Sequence, residues 1–237
     1  MSQQISPGSS HPPVRVIAIT GCDGSGKSTL TTSLFNRLSA EYPVEMIYLG
    51  QSSGRIGEWI SELPIIGAPF GRYLRKKAEN VNEKPSTPPG GATALVIYLL
   101  SCWRTWKFRR MLRVCGPGKL LIADRWPQNE VPGFRFDGPQ LAKTRGGGRW
   151  VEMLRAREEA LYAWMASYPP ALLIRLNIDA ETAHARKPDH KLSALREKVA
   201  VIPGLTFNGA NILDLDGRDP ADHVVDESLR AVRAALA

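Results

Sequence analysis

No apolar run in this sequence is long enough to cross a membrane. The longest one, 92–103, is interrupted by Thr93 and Ser101 and falls short of the ~20 residues that span a bilayer, so we expect no membrane partner. Residues 1–13 are polar and lack both the basic start and the apolar segment of a secretory signal. We interpret them as a disordered tail.

Cysteine is scarce, with three residues in 237. Cys22, Cys102 and Cys115 form no C-x-x-C pair, so neither a zinc knuckle nor a disulfide framework is indicated. This cysteine usage favours a reducing, cytoplasmic location.

Negative charge is outweighed by positive charge. The chain has 31 Lys and Arg residues against 23 Asp and Glu residues, a formal net charge of +8. This surplus suits an anionic partner such as a nucleotide, a nucleic acid or a membrane surface, although it also serves solubility. Because the basic residues are scattered, and no RNA-binding aromatic pattern or zinc spacing is present, we do not expect a nucleic-acid partner.

Strands and helices are predicted to alternate along the chain. Apolar, β-branched runs predict strands at 14–20, 44–49, 119–123, 171–178 and 210–215. Helical spacing or helix signals occur at 27–38, 57–63, 92–114, 150–167 and 180–184, and from 221 onward. This alternation predicts an α/β fold with three layers and a mainly parallel five-stranded sheet. With 43% hydrophobic residues, we expect one domain over 14–237.

A glycine-rich turn links the first strand to the first helix. Its residues GCDGSGKS match G-x-x-x-x-G-K-[ST], in the strand–loop–helix context that a phosphate-binding loop requires. The candidate nucleotide-binding residues are Gly21, Cys22, Asp23, Gly24, Ser25, Gly26, Lys27, Ser28 and Thr29. Lys27 is expected to reach the β- and γ-phosphates of ATP, Ser28 to hold Mg²⁺, and Thr29 to contact the α-phosphate. The predicted class is therefore a P-loop NTPase fold; the alternative is a chance glycine turn.

An acidic and a basic residue follow the third predicted strand. Asp124 comes directly after LLIA, where a Walker-B-type acid would lie, and is a candidate Mg²⁺ ligand or water-orienting group. Arg125 is placed to neutralise charge on a transferred phosphoryl group. A surface ion pair is the alternative.

These motifs resemble those of the thymidylate kinase family of P-loop kinases, and the resemblance runs from about Val14 to the C-terminus. GCDGSGKST is similar to the family's acidic phosphate loop, LLIADRW to its strand ending in Asp-Arg-Tyr, and GRIGEWI to its G-E-x-I segment. ALLIRLNIDAETAHARK and ANILDLDGRDPADHVVDESL are similar to its later strands and adenine-side loop.

The resemblance implies roles for several residues. Asp23 would approach the acceptor's sugar hydroxyl or the metal shell, and Arg125 would contact the acceptor phosphate. Arg104 lies where a family arginine grips the acceptor phosphate or base, although a solvated helix end is the alternative. A short lid at about 184–198 would close over the transferring group, with Arg186 as its catalytic candidate. A solvated helical face is the alternative for the basic residues of this segment. Family members are often dimers, so the resemblance allows a homodimer.

The segment after Arg125 departs from the family pattern. It reads WPQNEVPGFRFDGPQL in place of small polar residues that would face a thymidine base. Its aromatic residues Trp126, Phe134 and Phe136 are suited to stack on a base or sugar, with ordinary packing as the favoured interpretation. A mobile basic loop is likewise favoured for Arg135 and the basic residues after it, with a second phosphate site as the alternative.

The leading functional prediction is a kinase that transfers the γ-phosphoryl group of Mg·ATP to a nucleoside monophosphate, a dTMP-like acceptor. One alternative is a kinase acting on a nucleoside or sugar hydroxyl, with Asp124 or Asp23 as the base. Another is a non-catalytic ATP-binding protein of an assembly. A guanine-specific switch falls behind these because the sequence contains no N-K-x-D tetrapeptide.

Overall fold

Strands and helices alternate in a computed structural model that describes residues 11–50, 88–116, 118–143 and 145–236. The strands within these ranges are β1 (Val14–Gly21), β2 (Val44–Tyr48), β3 (Leu120–Asp124), β4 (Pro170–Asn177) and β5 (Ile212–Asp216). The helices are α1 (Lys27–Leu38), α2 (Gly91–Val114), α3 (Gly148–Ala166), α4 (Ala180–Arg186), α5 (Leu192–Val201) and α6 (Ala221–Leu236). Short 3₁₀ turns occur at Phe134–Phe136, Leu141–Lys143 and Ile202–Gly204.

The five strands form one parallel sheet in the order β2-β3-β1-β4-β5. Ile19 of β1 and Tyr48 of β2 are both in register with Asp124 of β3, so the carboxyl ends of these strands lie at one edge of the sheet. In open parallel sheets the loops at this edge form the ligand crevice. The predicted three-layer α/β fold of the P-loop NTPase type is confirmed.

Both faces of the sheet are covered by helices. Ile17 and Ile19 of β1 pack on one side with the leucines of α1 and the valines of α6. Val16 and Ala18, which point the other way, pack with Phe108 of α2 and with α3. All four β1 residues are fully buried. A strand buried on both faces needs apolar residues at successive positions, which is why β1 reads as a continuous apolar run.

The predicted elements agree closely with the observed ones. α1 begins and ends at the predicted residues, and the ends of β4 are displaced by one residue from the prediction. The predicted helix at 57–63 lies outside the described residues. The predicted lid, 184–198, falls on the end of α4 and most of α5. No helix in the described part of the chain is both long enough and apolar enough to span a membrane.

Candidate active site

The glycine-rich loop between β1 and α1 has a tightly constrained backbone. Gly24 has φ +85°, a conformation that L side chains rarely adopt, and an added Cβ would lie 2.6 Å from the carbonyl oxygen of Ala183 in α4. A Cβ on Gly21 would lie 2.6 Å from the Leu176 carbonyl oxygen of β4. Gly26 caps α1 at φ +95° and has open space beside it. The motif glycines therefore bring the loop against β4 and α4.

Lys27 folds back across this loop. Its Nζ donates to the carbonyl oxygens of Gly21 (2.9 Å) and Cys22 (2.7 Å). Burial lowers the pKa of Lys27, and the nearby Asp23 carboxylate opposes that effect. The contacts place the ammonium group at the centre of the loop, where the motif predicts a phosphate ligand.

Asp124 ends β3 beside the loop. Burial raises the pKa of its carboxyl group, while the neighbouring Arg125 and Lys27 act to lower it. Its Oδ1 is buried without a hydrogen-bond partner among the described residues. Because buried polar atoms are nearly always paired, we expect this oxygen to bind a group from outside the chain, such as a metal ion or a water molecule. Ser28 lines the same cleft, and a carboxylate with a hydroxyl is a donor set that fits Mg²⁺.

Arg125 is held in a left-handed backbone conformation, φ +67°. Its carbonyl oxygen accepts a 2.7 Å hydrogen bond from Nη2 of Arg104. Its Nη1 lies 3.9 Å from Oδ2 of Asp137, whose carboxylate raises the pKa of the Arg125 guanidinium. Left-handed backbone at a bulky residue requires support from the surroundings, and here Arg104 provides it.

Arg104 lies behind Arg125 and is 1% exposed. Its Nη2 donates to Asp137 Oδ1 at 3.1 Å, and its Nη1 to the Asp137 carbonyl oxygen at 3.3 Å and the Tyr162 hydroxyl at 3.4 Å. It is absent from the described lining of the cleft, so its contact with an acceptor stays a prediction. Asp137 and Tyr162 were not identified from the sequence. For Asp137, the one available signal was the Asp-Gly pair within the segment that departs from the family pattern.

The cleft itself has a volume of about 610 Å³. It brings together nearly all the predicted site residues: Asp23, Gly24, Ser25, Gly26, Lys27, Ser28, Thr29, Asp124, Arg125 and Arg186. Gly217, Asp219, Val224 and Val225 from β5–α6 complete the wall, and none of them was predicted. The signal for them was the segment after β5 that is similar to an adenine-side loop.

Arg186 joins the predicted lid to the rest of the cleft. Its Nη1 donates to the Gly217 carbonyl oxygen at 2.7 Å and lies 3.4 Å from that of Gly24. It therefore spans from α4 to both the phosphate loop and the loop after β5. Its catalytic role stays a prediction.

Asp23 faces α5 as well as the cleft. It forms an ion pair with Lys198, and His190 Nδ1 lies 3.8 Å from its Oδ2. Burial alone would raise the pKa of Asp23, but Lys198 and Lys27 hold it below its ordinary value. Cys22 is buried beneath α5, with its Sγ 4.0 Å from the Leu195 carbonyl oxygen. Cys22 is not among the described residues that line the cleft, and its thiol faces α5.

Comparison with known proteins finds relatives that match this chain over nearly all of its length. No family model matches the chain. The chain is 73% identical over 224 residues to the Escherichia coli K12 protein named "Uncharacterized ATP-binding protein YghS", with 94% of each chain covered. It is 40% identical over 217 residues to "Uncharacterized ATP-binding protein YghR" of the same strain, which covers 92% of this chain and 86% of the relative. Both similarities concern the whole fold and not the phosphate loop alone.

Proposed function

Because this chain belongs to the family of the Escherichia coli ATP-binding proteins YghS and YghR, we propose that it binds Mg·ATP in the cleft and transfers the γ-phosphoryl group to a small anionic acceptor. A nucleoside monophosphate of the dTMP type is the first candidate for that acceptor. The names of the relatives state ATP binding and no transfer reaction.

One observation carries the proposal. Asp124 and Arg125 line the same cleft as Lys27 and Ser28. The Oδ1 of Asp124 is buried there and has no hydrogen-bond partner in the part of the chain that the structure describes. A protein that only binds ATP needs the loop. Phosphoryl transfer also uses a carboxylate and an arginine beside the phosphates, and Asp124 and Arg125 are suited to these two roles.

Each of these residues has a role in the proposed reaction. Ser28 and Asp124 would hold Mg²⁺, which when bound neutralises charge on the β- and γ-phosphate oxygens. Lys27 binds the phosphates through its ammonium group, and Arg125 stabilises the charge that spreads over the moving phosphoryl group. Arg186 covers the cleft from the lid side.

The transfer needs no strong base. An ionised oxygen of the acceptor phosphate forms the new bond to the γ-phosphorus, while the bond from that phosphorus to the β–γ bridging oxygen breaks. The electron pair of the broken bond leaves with ADP. Because a phosphomonoester is already ionised near neutral pH, the protein's task is positioning and electrostatic stabilisation.

A hydroxyl acceptor is the second candidate, because Asp124 lines the cleft and its Oδ1 has no hydrogen-bond partner among the described residues, so this carboxylate is placed to take the proton of a hydroxyl. A carboxylate of higher pKa is a better proton acceptor at neutral pH. Asp23 is less suited to this role because its ion pair with Lys198 lowers its pKa. A hydroxyl kinase would therefore use Asp124 as its base.

The test is ADP release from Mg·ATP in the presence of a panel of nucleoside monophosphates, nucleosides and sugars. We expect release that depends on a monophosphate and that is lost in Lys27→Ala, with Arg37→Ala, a surface variant outside the cleft, as the matched control. Release that depends on nucleosides or sugars would replace the first candidate with the hydroxyl kinase. ATP binding without turnover on any acceptor would overturn the kinase proposal.

A further inference from the structure

A second, smaller cavity lies beside the cleft. The two cavities share Asp23, Lys27, Asp124 and Arg125. The remaining walls of the second one include Arg135, Phe136, Asp137, Lys198, Ile202 and Leu205. It has room for about 10 Å³ in this structure, so α5, which carries Lys198, must move before a ligand group can enter.

The position of this cavity relates it to the reaction. In phosphoryl transfer the attacking and leaving oxygens lie roughly in line on opposite sides of the phosphorus. If the cleft holds ATP, the acceptor's reacting group must approach from beyond Lys27, Asp124 and Arg125. The second cavity occupies that side.

Two cations reach this cavity from different elements. Arg135 comes from the 3₁₀ turn after β3, and its Nη1 lies 2.6 Å from Oε2 of Glu197. Lys198 comes from α5 and pairs with Asp23. Adjacent residues of α5, Glu197 and Lys198, thus connect this helix to both sides of the cavity. The Arg135 and Glu197 side chains are 27% and 34% exposed, and solvent weakens an ion pair of that kind. The Lys198 and Asp23 side chains are only 13% and 17% exposed, so their ion pair is the stronger of the two.

The segment that carries Arg135 is firmly held. Gln128 is fully buried, and its Nε2 donates to the carbonyl oxygens of Val131 (2.7 Å) and Phe136 (2.8 Å). Its Oε1 accepts from the backbone amides of Glu130 and Val131 at 2.6 and 2.8 Å. A glutamine with four such bonds fixes the path of the segment on both sides, so the position of Arg135 is built into the fold.

We propose that Arg135 and Lys198 bind the anionic group of a phosphomonoester acceptor in the second cavity, in exchange for their present carboxylate partners Glu197 and Asp23. This inference rests on the proposed function, because it takes the cleft as the ATP site. A phosphate dianion offers three acceptor oxygens and more charge than either carboxylate, so it competes effectively for both cations. The segment that departs from the family pattern then supplies one of the two acceptor-binding cations.

A probe that needs no knowledge of the acceptor tests the proposal. Adenosine 5′-pentaphosphate places two phosphoryl groups beyond the γ-position, where an acceptor phosphate would lie. We would measure its dissociation constant and that of ATP by titration calorimetry with Mg²⁺, and use the ratio of the two so that general effects on the cleft cancel. Each charge-assisted contact is expected to change this ratio by about tenfold.

The wild-type protein should bind the pentaphosphate more tightly than ATP by at least about tenfold. Arg135→Gln and Lys198→Gln should each remove most of that gain. Glu197→Gln should increase it, because the variant lacks the carboxylate that competes with the ligand for Arg135. If the ion pair had only a structural role, Arg135→Gln and Glu197→Gln would change the ratio of the two dissociation constants in the same direction. Arg196→Gln is the matched control on α5, since Arg196 is exposed and pairs with Glu181.

Four results would refute this inference, the proposed function or both. Equal wild-type affinity for ATP and the pentaphosphate, or an unchanged ratio in both Arg135→Gln and Lys198→Gln, refutes this inference alone. Absence of ATP binding refutes the proposed function and this inference with it. If the affinity ratios are as predicted but no acceptor supports turnover, the kinase activity is refuted and the anion site formed by Arg135 and Lys198 is still supported.

Discussion

Replacing Arg104, the buried arginine of α2, with methionine should destabilise the protein strongly. Methionine keeps much of the side-chain volume while removing the guanidinium group, so the loss reports on polar contacts more than on a cavity. Four hydrogen bonds disappear: those to the carbonyl oxygens of Arg125 and Asp137, to the Asp137 carboxylate and to the Tyr162 hydroxyl.

The magnitude follows from what is left behind. Removing one partner of a buried ion pair costs about 3–5 kcal/mol, because the other charge stays buried without compensation. The Asp137 side chain is 15% exposed and keeps Arg125 at 3.9 Å, which reduces that cost toward the lower limit. We therefore expect the free energy of unfolding to fall by about 3 kcal/mol.

Urea denaturation followed by circular dichroism measures this change, with the midpoint and slope fitted separately. Arg37→Met is the control, because the ion pair of Arg37 with Asp226 is half exposed and should contribute under about 1 kcal/mol. A loss for Arg104→Met as small as that for Arg37→Met would refute the structural role of Arg104. It would favour the sequence-based prediction that Arg104 binds the acceptor.

Three further predictions concern the loop, the buried acid and the metal. Gly24→Ala should abolish ATP binding in calorimetry, because its Cβ would meet a backbone carbonyl of α4 at 2.6 Å. Gly90→Ala should retain binding, because Gly90 has φ −60° and open space beside it; equal loss in both variants would contradict this. Burial raises the pKa of Glu158 above its ordinary value of 4.5, so the protein loses stability as pH rises from that value through the raised pKa. As pH rises, the free energy of unfolding of Glu158→Gln, measured by urea denaturation, should therefore increase relative to that of the wild type. A difference between the two proteins that stays constant with pH would be inconsistent with this. Chelating Mg²⁺ should weaken ATP binding by at least about tenfold in the wild type but hardly at all in Ser28→Ala/Asp124→Ala; equal metal dependence would refute the assigned ligands.

The elements that sequence predicts well are those defined by local patterns. Leu30, Leu34 and Leu38 recur every four residues and lie buried on one face of α1, which is why both ends of that helix are predicted correctly. Asp124 and Arg125 are found because they follow a buried strand directly. In a parallel sheet that position alone places a side chain at the ligand edge.

The contacts behind the site could not be predicted in this way. Arg104 meets Asp137 and Tyr162 across 33 and 58 positions of the chain, and Arg135 meets Glu197 across 62. Such pairs depend on how α2, α3 and α5 pack, and no local periodicity encodes that packing. The sequence therefore identified residues that line the cleft but not the residues that position their side chains.

The most direct test of the account follows the γ-phosphoryl group itself. Phosphorus NMR of the wild-type protein with Mg·ATP and dTMP, and then with other monophosphates, identifies the product that carries the transferred group. We expect a new phosphoanhydride on the acceptor together with ADP, and no such product with Lys27→Ala. Release of inorganic phosphate alone, or unchanged ATP with every acceptor, would contradict the claim that this cleft transfers phosphoryl groups.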